Sequence, residues 1–246
     1  MKILLTLSYV GSAYCGWQVQ PNGISVQSTV QNALGKVLGF PAPDISGCSR
    51  TDSGVHAEMF CFHFDTDSTI ENERIVMAVN SYLPDDIAAI SCRSVCDDFH
   101  ARYNSKGKTY IYKIYNSRLR DPFKCKYFLQ FGRHIDERFL SRAAEAFVGT
   151  HDFRGFCSVG SSVTDTVRTV SECSVTRDGD DVFIRITADG FLYNMVRIIV
   201  GTLLDVAVGK IGAEALPDVI ASGDRKLAGA TARPHGLYLE KVYYDF

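Results

Sequence analysis

Apolar side chains in this chain repeat with two different periods, and both periods occur in both halves. Ile3, Leu5, Leu7 and Tyr9 alternate as strand residues do, and Phe60, Phe62 and Phe64 do the same. Between them, Val26, Val30, Ala33, Leu34, Val37 and Leu38 form a helical stripe, with Ser25 before it as an N-cap and Gly39 after it as a stop. A second helix is predicted from Ile75 towards Tyr82, ending before Pro84, and a strand from Ala88 to Cys96. The later half repeats this alphabet. A strand runs over 109–115, and a helix carries Phe139, Leu140, Ala143, Ala144, Phe147 and Val148 up to Gly149. A hairpin follows about Asp178-Gly179-Asp180, then a long apolar helix from about Phe191 to Val208, a shorter one near 213–222 and a last strand from Leu237. The pattern predicts an α+β fold in two similar lobes, 1–104 and 105–246, without a residue-level repeat between them.

Composition narrows the class without naming a function. With 246 residues, 46% of them hydrophobic, the chain can fill one large domain or two lobes. Its formal net charge of −2 gives no global basic signal of the kind that marks many nucleic-acid binders. Basic residues do gather locally, at Lys106, Lys108, Lys113, Arg118, Arg120, Lys124, Lys126 and Arg133, with tyrosines among them. The eight cysteines include no Cys-x-x-Cys, and no histidine pair stands at helical ligand spacing, so they read as reduced and structural, with no metal site. The start alternates like a strand and lacks a signal-peptide core, and no run approaches the roughly 20 apolar residues of a membrane span. A cytoplasmic location is expected.

The segment of greatest chemical interest is Gly47 to Ala57, Gly-Cys-Ser-Arg-Thr-Asp-Ser-Gly-Val-His-Ala, which sets Arg50 two residues before Asp52 in a polar loop bounded by glycines. An aspartate is acceptor-only when ionised and becomes nucleophilic once it is partly desolvated. Arg50 can pair with a carboxylate or a phosphate. Taken alone, Thr-Asp-Ser-Gly is also ordinary turn chemistry.

The order of this and other segments resembles the TruA-type tRNA pseudouridine synthases. The resemblance rests on Arg50-Thr51-Asp52 with Gly54-Val55-His56-Ala57, on Gly16-Trp17-Gln18-Val19-Gln20, and on Phe99-His100-Ala101-Arg102. It continues through Lys108-Thr109-Tyr110-Ile111-Tyr112, Met195-Val196-Arg197 and Gly236-Leu237-Tyr238-Leu239, and so covers nearly the whole chain. It implies two lobes joined into a central antiparallel sheet with the active cleft between them, and isomerisation of uridine to pseudouridine in tRNA, at positions 38 to 40 of the anticodon stem-loop. The base leaves C1′ through N1, turns and rejoins through C5, a reaction that needs no cofactor. Asp52 is implied as the catalytic carboxylate, attacking C1′ or C6 or removing a sugar proton. Tyr110 is implied to stack on the base, Leu237 to wall its other side, and Arg197 to pair with Asp52; apart from the resemblance, Arg50, two residues from Asp52, is the better candidate for a phosphate ligand. tRNA is the implied partner, bound by a homodimer.

Several readings compete with these roles. A catalytically silent RNA-binding or chaperone module, a synthase with another RNA target, and an unrelated aspartate-nucleophile hydrolase are the alternatives. His56 resembles a general base but has no accompanying Ser or Cys nucleophile, Asp152 reads equally as a residue reaching a cleft or as a cap or turn residue, and Arg102 is a second phosphate candidate. Ser49 and Ser53 stand where the family commonly has Gly and Ala, which bears on target position.

Overall fold

A computed structural model describes residues 1–160 and 163–246. In chain order the strands are β1 (Lys2–Tyr9), β2 (Ser46–Gly47), β3 (His56–Asp65), β4 (Ile87–Val95), β5 (Gly107–Tyr115), β6 (Leu129–Gln130), β7 (Gly149–Asp152), β8 (Val167–Asp178), β9 (Asp181–Ala188) and β10 (Leu237–Tyr243). The α-helices are α1 (Val26–Leu38), α2 (Asn72–Asn80), α3 (Glu137–Ala144), α4 (Met195–Ala207) and α5 (Leu216–Ser222). Mixed α/β architecture with mostly antiparallel pairing is therefore the fold. The chain divides into two compact units, Met1–Lys106 with Tyr238–Phe246, and Gly107–Leu237.

In the first unit the strands lie in the order β4-β1-β3-β10, with β2 added to β3. β1 pairs antiparallel with both β3 and β4, and only β10 runs parallel, at Tyr238↔His56 and Leu239↔Ala57. Ile3 to Leu7 are all buried, Leu4 and Thr6 included, although the sequence alternates there. The cause is a second covering layer. His63, on β3, accepts the Ala101 N–H on Nδ1 at 3.1 Å, the Tyr244 hydroxyl donates to the Ala101 carbonyl at 2.6 Å, and Phe99 packs on Tyr244 with centroids 5.3 Å apart. Helix α1 starts as its sequence requires: Ser25 and Ser28 cap each other reciprocally, and Gly39 ends it at φ 99°.

In the second unit the order is β5-β9-β8-β7, with β6 parallel to β5. β8 and β9 form the expected hairpin, which turns through Gly179 at φ 57° and Asp180. Two boundaries differ from the sequence reading. Helix α3 stops at Ala144 and tightens into a turn over Glu145–Phe147, while Gly149, at φ 116°, opens β7 instead of ending the helix. Helix α4 begins at Met195 and not near Phe191, because Asn194 before it adopts a left-handed conformation at φ 62°. Ten of its thirteen residues are buried, as a helix apolar on all sides requires.

Candidate active site

The aspartate loop hangs between two paired strands. β2 meets β3 at Ser46↔His63 and Gly47↔Phe62, and Cys48 N–H donates to the Cys61 carbonyl at 2.7 Å, so the chain between Cys48 and His56 must bulge out of the sheet and return. The bulge is pinned on both sides of Asp52. Thr51 is buried, its hydroxyl lies 2.8 Å from the Tyr9 hydroxyl, and its carbonyl accepts the Trp17 N–H at 3.1 Å. On the other side the Asp52 carbonyl accepts the Val55 N–H at 3.1 Å, closing a turn whose third residue, Gly54, sits at φ 78°. Gly16 runs against this loop at φ 102°, and a Cβ there would meet the Thr51 carbonyl, so only glycine lets the two backbones approach. Asp52 is half-buried and Arg50 exposed. The loop thus presents a carboxylate on fixed backbone, partly shielded from water, which is the state in which it can act as nucleophile or base.

The second unit carries the other residues the sequence singles out. Tyr110, on β5, is buried with its ring edge-to-face on Phe191, centroids 5.0 Å apart. Tyr112, two residues on, is fully buried and donates its hydroxyl to the Arg233 carbonyl at 2.7 Å. That bond anchors the segment that carries Ala232 and Leu237. Arg197 lies in the first turn of α4, half-buried, and its Nε donates to the Ala232 carbonyl at 2.7 Å while Nη1 donates to Asn194 Oδ1 at 2.7 Å. The Ala232 N–H returns a bond to the Arg197 carbonyl at 3.0 Å, and Asn194 Nδ2 donates to Ser158 Oγ at 2.9 Å. Leu237 is buried just after the tight turn Pro234–Gly236. A guanidinium held in this way on two oxygens has a fixed direction, unlike one that snorkels to solvent. Sequence reasoning missed Asn194, Ala232 and Phe191. Asn194 carried a faint signal, an Asn directly before an apolar helix, a place where left-handed backbone is tolerated.

Other sequence candidates take structural roles. His56 is fully buried, its Nδ1 accepts the Gly11 N–H at 3.1 Å, and its ring stacks on Tyr238 at 4.5 Å. Asp152 accepts from Arg154 N–H at 3.0 Å and from the Thr166 hydroxyl at 2.6 Å; the Thr166 bond holds its carboxyl below the usual range, and the geometry is that of a turn. The basic cluster is partly consumed. Lys106 bridges to Asp245 at 3.2 Å, Lys108 is buried, and Lys124 pairs with Asp181 at 2.6 Å beneath the Tyr115 and Phe128 rings. Arg118, Arg120, Lys126 and Arg133 are exposed. Burial pushes the Cys61 and Cys92 thiols up to about 11, which makes them poor nucleophiles. Among the described residues, no helix is long and apolar enough to cross a membrane, and no group of three or more His, Cys, Asp or Glu could hold a metal ion.

The family described as tRNA pseudouridine synthase matches residues 143–245. A protein named tRNA pseudouridine synthase A from Clostridium acetobutylicum is 44% identical over 243 residues, which is 99% of this chain and 99% of the relative. The chain belongs to the tRNA pseudouridine synthase A family. A Bacillus subtilis protein of the same name is 44% identical over 247 residues, covering all of both chains. Among solved structures, a Cbf5-Nop10-Gar1 complex aligns at 11% identity with a TM-score of 0.38, over 96% of this chain and 57% of the other.

As a member of the tRNA pseudouridine synthase A family the chain is an isomerase. Its two departures in the loop are accommodated differently. Ser53 donates its hydroxyl to the Tyr14 carbonyl at 3.2 Å, and the Tyr14 hydroxyl in turn donates to Asp86 Oδ1 at 2.6 Å. The added oxygen therefore braces the loop from outside. Ser49 lines an open cleft beside Arg50.

Proposed function

We propose that this enzyme converts uridine to pseudouridine in tRNA, at positions 38 to 40 of the anticodon stem-loop, with Asp52 as the catalytic carboxylate. The observation that carries the reading is the pinned Arg50-Thr51-Asp52 loop, in which Tyr9 and Trp17 hold Thr51 while Gly54 turns the chain directly after the carboxylate. Such fixation spends no binding energy on ordering the reactive group when substrate arrives. Asp52 attacks C1′ or C6, or takes a proton from the sugar; the N1–C1′ bond breaks, the base turns, and a C5–C1′ bond forms as the Asp52 adduct is released or the sugar proton returned, while C5 loses its proton and N1 gains one. Atoms balance without an outside group.

Tyr110, Arg197 and Leu237 bind the substrate in this proposal. Tyr110 offers a ring whose tilt is set by Phe191, Leu237 an apolar wall, and Arg197 a directed guanidinium. Arg50 takes a phosphate of the RNA strand, which must be opened to present the uridine. The enzyme acts as a homodimer. Position-resolved pseudouridine mapping on unmodified tRNA, with wild type and Asp52→Asn, tests the reading. Signal in the anticodon stem-loop from wild type alone supports it; signal elsewhere revises the target, and signal from both removes Asp52 from the chemistry.

A further inference from the structure

The first unit carries a polar cleft of about 210 Å³ beside the Asp52 loop. Its wall includes Arg50, two residues before Asp52, and Arg102, while Trp17, Gln27, His100 and Tyr103 complete the part that matters. The floor is rigid. Trp17 is buried and stacked on Phe60 with centroids 4.0 Å apart, and Gln27 spends its amide on backbone, accepting the Val19 N–H at 3.1 Å and donating to the Ile45 carbonyl at 3.4 Å.

The rim has a defined chemistry. His100 Nδ1 accepts the N–H groups of Arg102 at 3.1 Å and Tyr103 at 3.4 Å, so its proton resides on Nε2. Burial, with Lys2 and Arg102 nearby, holds its pKa below the ordinary histidine value, and the ring is a neutral donor at pH 7. Tyr103 leans on this imidazole at 4.3 Å and leaves 76% of itself exposed. None of the described residues lining the cleft is acidic, although the chain as a whole carries two more acidic than basic residues. Two guanidiniums, a neutral N–H donor and an exposed ring, with no carboxylate among them, match a phosphate followed by a base.

We propose that this cleft is a subsite for one nucleotide of the RNA strand that flanks the target uridine. Arg50 and Arg102 take its phosphate, and its base stacks on Tyr103 at the rim. Size is compatible with that division: an open cleft of about 210 Å³ admits a phosphodiester, and the exposed Tyr103 ring lies at its edge for the base. The inference rests on RNA being the substrate, and it assigns to this cleft a role separate from uridine chemistry.

Trp17 is the single tryptophan of the chain and lies in the cleft, so its emission reports occupancy directly. The full-length Asp52→Asn protein would be titrated with a 5′-phosphorylated oligoadenylate trinucleotide, which holds no uridine. A saturable change in emission is expected, with the apparent Kd raised at least about fivefold by Tyr103→Ala, the low end of base–aromatic stacking, and raised similarly by Arg102→Gln. Both side chains are exposed, and unchanged melting of the variants would confirm that they fold. An emission that stays flat at millimolar trinucleotide, or a Tyr103→Ala variant that binds as wild type does, overturns the subsite. So does inorganic phosphate that binds as tightly as the trinucleotide, because the cleft would then be an anion hole. Pseudouridine mapping separates this failure from that of the proposed function: a synthase with a silent Trp17 loses only the subsite, and a protein that binds trinucleotide but modifies no RNA loses only the reaction.

Discussion

The backbone of Asp52 owes its position to neighbours that hold the residues on either side of it. Tyr9 bonds to Thr51, Trp17 bonds to Thr51, and Gly16 makes room for both backbones. Asp52→Asn keeps the size of the side chain and removes the charge, so tRNA turnover should fall by at least about 10³-fold while the melting temperature stays within a few degrees. Turnover within about tenfold of wild type would exclude the carboxylate from the chemistry. Tyr9→Phe probes the support instead. It leaves the Thr51 hydroxyl with one partner fewer in a buried place, which should cost about 1 kcal/mol in urea unfolding and lower kcat more than it raises KM. A change confined to KM would mean that the pin serves binding and not the reactive geometry. Arg197→Lys keeps the positive charge yet removes the fork that reaches both the Ala232 carbonyl and Asn194, so it should lower activity nearly as far as Arg197→Ala does. A fully active lysine variant would show that charge alone suffices.

At the scale of elements, local signals are legible where a side chain directly satisfies the backbone. Helix α1 is visible in the sequence because Ser25 and Gly39 supply its caps, and the β8–β9 hairpin is visible because Gly179 fits the turn it must make. The start of helix α4 is not, since its onset depends on Asn194 taking a left-handed conformation that its bonds to Arg197 and Ser158 support, and those partners are distant in sequence or hidden in packing. Strand β3 shows the same limit. Phe60, Phe62 and Phe64 predict one buried face, yet His63 is buried on the other, under the segment that contains Ala101. Burial first, then His100 and Lys2, lower the His63 pKa, with Asp65 opposing. The native state therefore binds fewer protons at this site than the unfolded chain. Stability at this site is complete above the unfolded value near 6.5 and declines as the pH falls below it. The urea midpoint should drop between about pH 7.5 and about pH 5.5, and His63→Gln, which retains an acceptor for the Ala101 N–H, should shrink that drop. Equal drops in the two proteins would assign the pH response to other groups.

At the scale of the molecule, net charge misleads because ion pairing redistributes it. A chain at −2 gives no sign of an RNA partner, and part of the sequence's basic cluster is spent on structure: Lys106 on Asp245, Lys124 on Asp181, Lys108 in the interior. No sequence pattern marks which lysines are spent, since Asp181 and Asp245 lie far along the chain from their partners. The same distance hides the parallel pairing of β10 with β3, which returns the end of the chain to the first unit. The exposed cations that remain, Arg118, Arg120, Lys126 and Arg133, are the ones that can release counterions when a polyanion binds. tRNA affinity should therefore fall steeply and log-linearly with salt. Arg118→Ala with Arg120→Ala should reduce that slope by about two, one for each phosphate that no longer meets a guanidinium. Lys124→Ala should leave the slope unchanged, because its charge is already matched by Asp181. A slope that responds to Lys124 and not to the two arginines would show that the lysine leaves its carboxylate to meet RNA, and that the exposed arginines serve solubility alone.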